Sequence, residues 1–217
     1  MRPERVVVVA GTGTEVGKTW VADHLARCLL TAGHAVSARK PVQSFDPADA
    51  GPTDAEILGA ATGESPHDVC PAARWYPWPM APPMAAAALG SVAPIMADLV
   101  AELDAGWGAE PARVGLVETA GGVRSPLAMD GDSAALVAGI GPDLVVLVAD
   151  AGLGAINAVR LAAGALAGSR VIVHLNRHRS EVDLHRRNAL WLREVDALSV
   201  TTTVDGLAGA VLALLAG

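Results

Sequence analysis

The sequence predicts an α/β fold in which a mostly parallel sheet of about seven strands lies between two layers of helices. Two observations support this fold class. Short apolar runs rich in β-branched residues alternate with longer segments of helical periodicity. These runs are apolar at every position, which is typical of strands buried on both faces of a parallel sheet. The 217 residues, 52% of them hydrophobic, show no internal repeat and no linker, so we expect residues 1–217 to form one domain.

The first half of the chain begins with the buried-strand signal RVVVVA. Its predicted elements are, in order, a strand over 5–10, a helix over 18–32, a strand over 35–40 and a helix over 53–61. Gly33 ends the first helix, and Thr53 is a suitable N-cap for the second, whose first turn is acidic. Residues 64–83 are rich in Pro, Trp and Met, which predicts a loop with at most one short strand.

The second half repeats the alternation of strands and helices. Pro94 suits the first turn of a helix that runs to residue 105. The later predicted elements are strands over 114–118, 143–150, 170–176 and 196–203, and helices over 132–140, 155–168, 181–194 and 207–217. The alternation continues to the end of the chain and therefore favours one continuous sheet.

Composition argues against several classes of partner. The formal net charge is −7 and no Lys/Arg run occurs, whereas nucleic-acid binding needs clustered cations. No apolar stretch reaches membrane length. Cys28 and Cys70 have neither metal-ligand spacing nor a disulfide framework, which favours small apolar side chains in a reducing compartment. We therefore expect a soluble cytoplasmic protein with no nucleic-acid or membrane partner.

The segment GTGTEVGKT (11–19) is a candidate phosphate-binding loop. It follows a buried strand and opens a helix, the context that a Walker A loop requires. Five residues separate Gly11 from Gly17, one more than in the usual pattern. Lys18 can reach the β- and γ-phosphates, and Thr19 can offer its hydroxyl to Mg²⁺. An ordinary strand-to-helix turn is the alternative, but the context favours a P-loop NTPase-like three-layer α/β/α fold.

Three more charged residues stand where ligands bind in open α/β sheets. Lys40 ends the second predicted strand, and Glu118 ends the next long apolar one. Asp54 opens a helix, where an acid is also expected for the helix dipole alone. Glu118 is harder to explain structurally, because a buried carboxylate without a partner is unfavourable. Asp54 and Glu118 could complete a Mg²⁺ shell with the phosphate loop.

Taken in order, these segments resemble the dethiobiotin synthetase family. The pattern G-T-x-T-x-V-G-K-T matches residues 11–19 at every fixed position, so the unusual spacing belongs to the family. K-P-V-x-S matches 40–44, and the family's D-A pair matches Asp54 and Ala55. V-E-G-A-G-G matches 117–122 except at Thr119. L-G-x-I-N matches 153–157, so the resemblance extends to about residue 176.

This resemblance implies an ATP-dependent ligase of biotin biosynthesis. The reaction joins CO₂ to 7,8-diaminononanoate and closes a cyclic urea. One substrate amine forms a carbamate, whose oxygen attacks the γ-phosphate of ATP. The second amine then attacks the mixed carbamic–phosphoric anhydride and phosphate leaves. The implied co-substrate is ATP or another nucleoside triphosphate, the implied metal is Mg²⁺, and the implied assembly is a homodimer with the site at its interface.

The resemblance also assigns roles to individual residues. The catalytic residues are Lys18 and Lys40, the latter between carbamate and γ-phosphate. The nucleotide-binding residues are Thr14, Glu15, Val16, Gly17, Lys18, Thr19, Trp20, Glu118 and Asn176. The substrate-binding residues are Thr12, Lys40, Ser44, Gly121, Gly122, Gly154, Ala155, Ile156 and Asn157, of which the last four act across the dimer interface. The Mg²⁺ ligands are Thr19, Asp54 and Glu118.

Three departures from the family pattern concern substrate approach and base recognition. Thr119 replaces a glycine, which either narrows the turn or is harmless if its backbone angles are ordinary. Arg177 follows Asn176 where the family has aspartate. The late G-x-I-P loop, which closes over the base, has no counterpart in SVTTTVDGLAG. These last two departures suggest relaxed nucleotide choice.

Two other function classes remain open from the sequence. A ParA/MinD-like ATPase switch shares the broad fold, but that class carries a lysine early in its loop and residues 11–14 contain none. A nucleotide-binding regulatory homologue without ligase activity is the other. The segment WYPWPMAPP has no interleaved cations, so we expect it to pack over the site or the dimer interface rather than to stack on nucleic acid. By resemblance, its Pro82 and Pro83 line the diamine chain.

Overall fold

Six parallel strands form the central sheet of this computed structural model, which describes residues 1–108 and 112–216. The strands in chain order are β1 (Arg5–Gly11), β2 (Val36–Arg39), β3 (Gln43–Ser44), β4 (Trp75–Tyr76), β5 (Val114–Glu118), β6 (Pro126–Ala128), β7 (Gly131–Asp132), β8 (Leu144–Asp150), β9 (Val171–Asn176) and β10 (Val200–Thr201). The central sheet has the order β10-β9-β8-β1-β5-β2, and all of its pairings are parallel.

The prediction of a mostly parallel α/β fold is confirmed, with six strands in the central sheet rather than about seven. The short strand expected within 64–83 exists as β4. It pairs with β3 in a separate two-stranded ladder and does not join the main sheet. A second small ladder joins β6 to β7 in antiparallel orientation.

Helices cover both faces of the sheet. Their bounds are α1 (Lys18–Thr31), α2 (Asp54–Thr62), α3 (Pro66–Val69), α4 (Pro82–Ala88), α5 (Met96–Gly106), α6 (Ser133–Ile140), α7 (Ala155–Ala165), α8 (Asp183–Glu194) and α9 (Val204–Ala216). Among the residues that the structure describes, no helix is both long and apolar enough to cross a membrane.

The core consists of two apolar layers, one on each face of the sheet. Along β1, Val7 and Val9 belong to one layer, and Val6, Val8 and Ala10 belong to the other. Helices α1, α2 and α9 cover the first layer, while α5, α6, α7 and α8 cover the second. This two-sided burial explains why the strands are apolar at every position.

Several helix boundaries differ from the sequence prediction for local reasons. Helix α2 begins as expected, since Thr53 and Glu56 form a reciprocal capping box. Helix α5 begins at Met96 rather than at Pro94, because the Asp130 carboxylate accepts the Met96 N–H at 2.7 Å and caps the helix from another segment. The segment expected to be loop contains α3 and the start of α4. The last strand is shorter than predicted, and residue 217 of the predicted last helix lies outside the described residues.

The parallel pairing of the strands determines which edge of the sheet carries the candidate site residues. The carboxyl ends of all the central strands point to one edge of the sheet. The turn after β1, Lys40 after β2, Glu118 at the end of β5 and Asn176 at the end of β9 therefore meet there.

Candidate active site

The turn between β1 and α1 has the geometry of a phosphate cradle. Gly17, the N-cap of α1, has a φ of 91°, which is in the left-handed region that favours glycine. Lys18 begins the helix, and its Nζ donates a hydrogen bond to the carbonyl of Gly13 at 2.9 Å. A Cβ at Gly11 would lie 2.9 Å from Lys18 Cδ, so glycine leaves the space that the lysine chain occupies. The backbone N–H groups at the start of α1 and the Lys18 ammonium together suit an anionic phosphate.

Asn176 holds this turn from the end of β9. Its Nδ2 donates to the carbonyl of Val16 at 2.9 Å. It also packs against Gly17 so closely that a Cβ at that position would lie 2.1 Å from Asn176 Nδ2. Gly17 is therefore required both by its backbone angles and by its neighbour.

Lys40 lies at the centre of a buried cluster of charges. Its Nζ lies 2.6 Å from Asp54 Oδ2 and 2.7 Å from Glu118 Oε1, and it donates to the carbonyl of Thr119 at 3.3 Å. The three hydrogens of the ammonium thus each have an acceptor. Thr19 Oγ1 lies 2.8 Å from both Asp54 Oδ1 and Glu118 Oε1, so its one hydrogen can serve only one of them at a time. Lys40 and Glu118 are each only 1% exposed.

Burial and charge oppose each other in this cluster. Burial alone would lower the pKa of Lys40, but the Asp54 and Glu118 carboxylates outweigh it and hold that pKa above its ordinary value. Burial also disfavours ionised Asp54, yet the Lys40 ammonium keeps its pKa below the usual range. For the more deeply buried Glu118, burial prevails and raises the pKa. Burial and the nearby Lys40 charge lower the pKa of Lys18 to about 8.

The oxygens of Thr19, Asp54 and Glu118 fit a divalent cation. Glu118 Oε2 is buried and has no hydrogen-bond partner among the described residues, and a bound cation would satisfy it. The Lys40 ammonium already lies among these oxygens, so the position favours positive charge. In residues 1–108 and 112–216, no three His, Cys, Asp or Glu side chains cluster to hold a metal alone. A cation here would take further oxygens from phosphate or water, as Mg²⁺ commonly does.

A cavity of about 880 Å³ opens at this edge of the sheet. Many of the predicted site residues line it, together with one of the two predicted prolines: Thr14, Glu15, Gly17, Lys18, Thr19, Lys40, Ser44, Asp54, Pro82, Glu118 and Gly121. Residues from the carboxyl ends of three strands and from two helix starts are thus brought together in one space.

The remaining predicted residues do not line this cavity: Thr12, Val16, Trp20, Pro83, Gly122, Gly154, Ala155, Ile156, Asn157 and Asn176. Two of them still meet beside it, since a Cβ at Gly122 would lie 3.2 Å from the Thr12 carbonyl oxygen. Trp20 is half exposed and lies against His24, with ring centroids 3.9 Å apart. The segment 154–157 forms the start of α7, and its role across a dimer stays a prediction.

The cavity also contains residues to which the sequence analysis gave no role in the site: Gln43, Phe45, Asp46, Asp49, Pro52, Thr53, Ala120, Ser125 and Pro126. It is further lined by Pro79, Met80 and Ala81, from the segment expected to pack over the site, and by Arg177. Most lie in the two loops that the β3–β4 ladder brings over the site. A pairing of two residues with two others leaves no periodic signal. Gln43 could have been found from the sequence, because it is a polar residue directly after the apolar pair Pro41-Val42 and therefore needs a hydrogen-bond partner if it is buried.

Thr119 takes an ordinary backbone conformation. Among the described residues, the non-glycine positions with positive φ are Glu15, Arg177 and Ala197. Thr119 is fully buried, and its N–H donates to the carbonyl of Val9 at 3.0 Å. Its Cβ therefore causes no backbone strain, although its Oγ1 is buried without a hydrogen-bond partner among the described residues.

Arg177 departs from the family pattern in a way that shapes the edge of the cavity. With a φ of 55°, it donates to the carbonyl of Glu15 at 2.9 Å and forms an ion pair with Asp150 at 3.1 Å. Downstream, β10 ends at Thr201 and α9 begins at Val204, so little chain lies between them. A short connection therefore lies where the resemblance would place a base-binding loop.

Comparison with known proteins identifies related sequences over most of the chain. A family model described as an AAA domain (AAA_26) matches residues 5–202. Relatives named ATP-dependent dethiobiotin synthetase BioD include one from Caulobacter sp. strain K31, 40% identical over 76% of this chain and 71% of its own. Another, from Streptomyces coelicolor, is 38% identical over 73% of this chain and 64% of its own. The chain thus spans about two thirds of the length of these relatives.

Solved structures support the fold alone. Chloroplast FtsY from Physcomitrella patens has a TM-score of 0.53 at 16% identity, covering 94% of this chain and 61% of that one. A DUF1611 family protein from Anabaena variabilis has a TM-score of 0.54 at 17% identity, covering 97% of this chain and 58% of that one. Both chains are substantially longer than the one described here.

Proposed function

Because this chain belongs to the family of ATP-dependent dethiobiotin synthetases, and is thus a ligase of biotin biosynthesis, we propose that it carboxylates and cyclises 7,8-diaminononanoate. One observation carries the proposal. The phosphate loop, Lys40 and the pair Asp54–Glu118 converge on one cavity, although they come from distant parts of the chain. Such a site can hold a triphosphate, a divalent cation and a reacting anion side by side.

The proposed reaction has three steps. One substrate amine adds to CO₂ and loses a proton to form a carbamate. A carbamate oxygen attacks the γ-phosphorus of ATP and releases ADP. The second amine then attacks the carbamoyl carbon of the anhydride, which closes the cyclic urea and expels phosphate. Each step moves negative charge across the space beside Lys40, so electrostatic stabilisation is the main task of the protein.

Roles for the residues follow from their places in the cavity. Lys18 and the loop N–H groups bind the phosphates, and Lys40 stabilises the charge passing between carbamate and γ-phosphate. Ser44 lines the same cavity as Lys40, and we assign it to the carbamate region. Thr19, Asp54 and Glu118 would hold Mg²⁺, which would neutralise charge on the β- and γ-phosphates. The remaining substrate contacts are proposed for Thr12, Gly121, Gly122 and the segment 154–157 of a second subunit.

Lys40 and a metal ion would compete for the same carboxylates. In this structure the ammonium lies within 2.7 Å of both Asp54 and Glu118. A divalent cation bound by those oxygens would repel it. Metal binding would thus release Lys40 from its buried contacts toward the carbamate.

The homodimer is also part of the proposal. Leu153, beside the predicted substrate segment, is 93% exposed, and Leu161 on α7 is 69% exposed. Exposed apolar side chains favour a protein interface where they form a contiguous patch, and we propose that these two leucines belong to such a patch. Sedimentation of the purified protein should give the mass of two chains, and Leu161→Glu should shift it toward one.

Nucleotide choice is proposed to be relaxed. Asn176 uses its Nδ2 to hold the phosphate loop, Arg177 occupies the aspartate position, and α9 follows β10 almost at once. These features leave fewer groups for reading the adenine edge. ATP and CTP should therefore bind with similar Kd values, and strong discrimination in favour of adenine would contradict this proposal.

The ligase activity has a direct test. Purified protein with bicarbonate, Mg²⁺ and ATP should release phosphate only when diaminononanoate is present. Mass spectrometry should show the cyclic urea in an amount equal to the phosphate. Hydrolysis that does not depend on the diamine, or no hydrolysis, would count against the ligase and in favour of a nucleotide-binding homologue.

A further inference from the structure

Gln43 is a buried amide with one hydrogen-bonding end committed and the other unused. It lies in β3, is 2% exposed and lines the cavity. Its Oε1 accepts the backbone N–H of Ala55 at 3.0 Å. Its Nε2 is buried and has no hydrogen-bond partner among the residues that the structure describes.

The committed end fixes the orientation of the amide. Ala55 is the second residue of α2, and its N–H is one of the donors that the first turn leaves free. Only the carbonyl oxygen of Gln43 can accept that N–H, so Nε2 must face away from it. Leaving a buried N–H donor unpaired destabilises a fold, so an unpaired donor on a residue that lines the cavity needs an explanation.

The neighbours of Gln43 indicate what the donor would bind. Ser44 follows it in β3, Lys40 lies three residues before it, and Asp54 precedes the residue that anchors it. Asp54 accepts hydrogen bonds and already has Lys40 and Thr19 as partners. The Gln43 amide and the Lys40 ammonium are two hydrogen-bond donors on residues that line the same cavity. Together they suit a negatively charged oxygen as the acceptor.

We propose that Gln43 is a further binding residue of the site, which donates through Nε2 to an oxyanion held beside Lys40. The proposal rests on the proposed ligase function for the identity of that oxyanion. Two sources share this chemistry, the carbamate of the substrate and the γ-phosphate of the nucleotide. The anchor on Ala55 keeps the donor in place before the ligand arrives, which lowers the entropic cost of binding.

The test compares Gln43→Met with the wild type and with Ser65→Ala. Methionine has a similar length but no donor and no acceptor. Ser65 caps α3 and does not line the cavity, so Ser65→Ala measures what losing a helix cap does alone. The measurements are Kd for ADP and for a non-hydrolysable ATP analogue, both with Mg²⁺, and kcat/KM for diaminononanoate.

Loss of a hydrogen bond to a charged group should weaken one ligand by roughly ten- to a hundredfold. If the γ-phosphate is the partner, Gln43→Met weakens the ATP analogue by that factor and leaves ADP unchanged. If the carbamate is the partner, both Kd values stay within threefold and kcat/KM for the diamine falls by that factor. Gln43→Glu, which keeps an oxygen for the Ala55 N–H, should show the same selective loss at pH 8.5.

The proposal is overturned if Gln43→Met matches Ser65→Ala in every parameter. It is also overturned if ADP is weakened as much as the ATP analogue, because that pattern indicates general disruption of the site. If the wild type itself shows no diamine-dependent turnover, the ligase function fails. The two Kd values then decide the role of Gln43, and an unchanged affinity for the ATP analogue overturns it.

Discussion

Among the single residues of the site, Lys40 has the largest number of buried polar contacts through its ammonium group. It satisfies all of its hydrogens within a cluster of two carboxylates and a backbone carbonyl, and its side chain is almost completely buried. Removing one partner from a buried ion pair is destabilising by roughly 3–5 kcal/mol, because it leaves the other charge uncompensated. The same arrangement that stabilises Lys40 therefore makes the site dependent on a cation.

Lys40→Ala should separate binding from turnover. We expect the Kd for MgATP to stay within about threefold, while kcat falls by roughly a hundred- to a thousandfold, the usual effect of removing one electrostatic stabiliser. Isothermal titration and phosphate release measure the two quantities. Without metal, the variant should also be less stable than the wild type, and Mg²⁺ should stabilise it more, because the metal takes the vacated position. A variant that keeps a tenth or more of the wild-type turnover would contradict this role.

Lys18 should give nucleotide binding a dependence on alkaline pH. Its pKa is lowered to about 8, whereas a bound triphosphate favours the charged form. Affinity is therefore fully present below pH 8 and is lost as the pH rises above it. From pH 7 to pH 9 the Kd for MgATP should rise about tenfold. Lys18→Arg keeps its charge over this range, so its Kd should change little, whatever its absolute value. An equal rise in both proteins would refute the assignment.

At the scale of elements, the pairing of β9 with β10 contains a titratable core residue. His174 on β9 is 2% exposed, and its Nδ1 lies 3.0 Å from Thr201 Oγ1 on β10. Burial lowers the pKa of His174 to about 4 from an ordinary value of 6.5. The imidazole is therefore neutral in the folded protein above pH 4. Between pH 4 and pH 6.5, His174 binds a proton more readily in the unfolded chain than in the folded one.

His174 should make the protein less stable in mild acid. Its contribution is fully present above pH 6.5 and is lost progressively as the pH falls toward 4. At pH 5 the loss amounts to about 2 kcal/mol. Chemical denaturation at pH 7.5 and pH 5 should show a fall in the free energy of unfolding that is about 2 kcal/mol larger for the wild type than for His174→Gln. An equal fall in the free energy of unfolding of the two proteins would disprove the role of His174 in acid sensitivity.

The elements also show what the sequence could predict. Long apolar strands and periodic helices were predictable because a buried parallel sheet imposes a pattern on each of them. The P-loop, Lys40 and Glu118 were predictable because they follow such strands. The β3–β4 ladder was not, since two residues pair with two others across 31 intervening positions. The start of α5 was also hidden, because its cap comes from Asp130 in another segment.

At the scale of the whole molecule, the site lies at the edge where all the central strands end. A ligand bound there would contact the loop after β1, the ends of β2 and β5, and the starts of α1 and α2. Pro82 of α4 also lines the cavity, and Ala85 and Ala86 of that helix belong to the second apolar layer, so binding would join helices from both layers. A ligand that binds only the folded state should stabilise the entire domain.

MgATP should raise the melting temperature of the protein. At a concentration of about 100 times Kd, a ligand adds about 2.7 kcal/mol to stability. For a chain of this size, that corresponds to about 5 to 10 °C. Differential scanning fluorimetry measures the shift, and Lys18→Ala, which lacks the phosphate-binding ammonium, should show little of it. A shift of the same size in both proteins would mean that nucleotide binds elsewhere.

The arrangement of the central sheet has a consequence for how the protein folds. The contacting groups of the site are separated by 78 residues for Lys40 and Glu118, 99 for Thr19 and Glu118, and 160 for Val16 and Asn176. Contacts so distant along the chain form slowly, because large loops must close first. The site thus comes into existence only when the crossovers around β1 are complete. During refolding, the ability to bind nucleotide should return only with the last kinetic phase. Nucleotide binding would therefore report that the central sheet is complete.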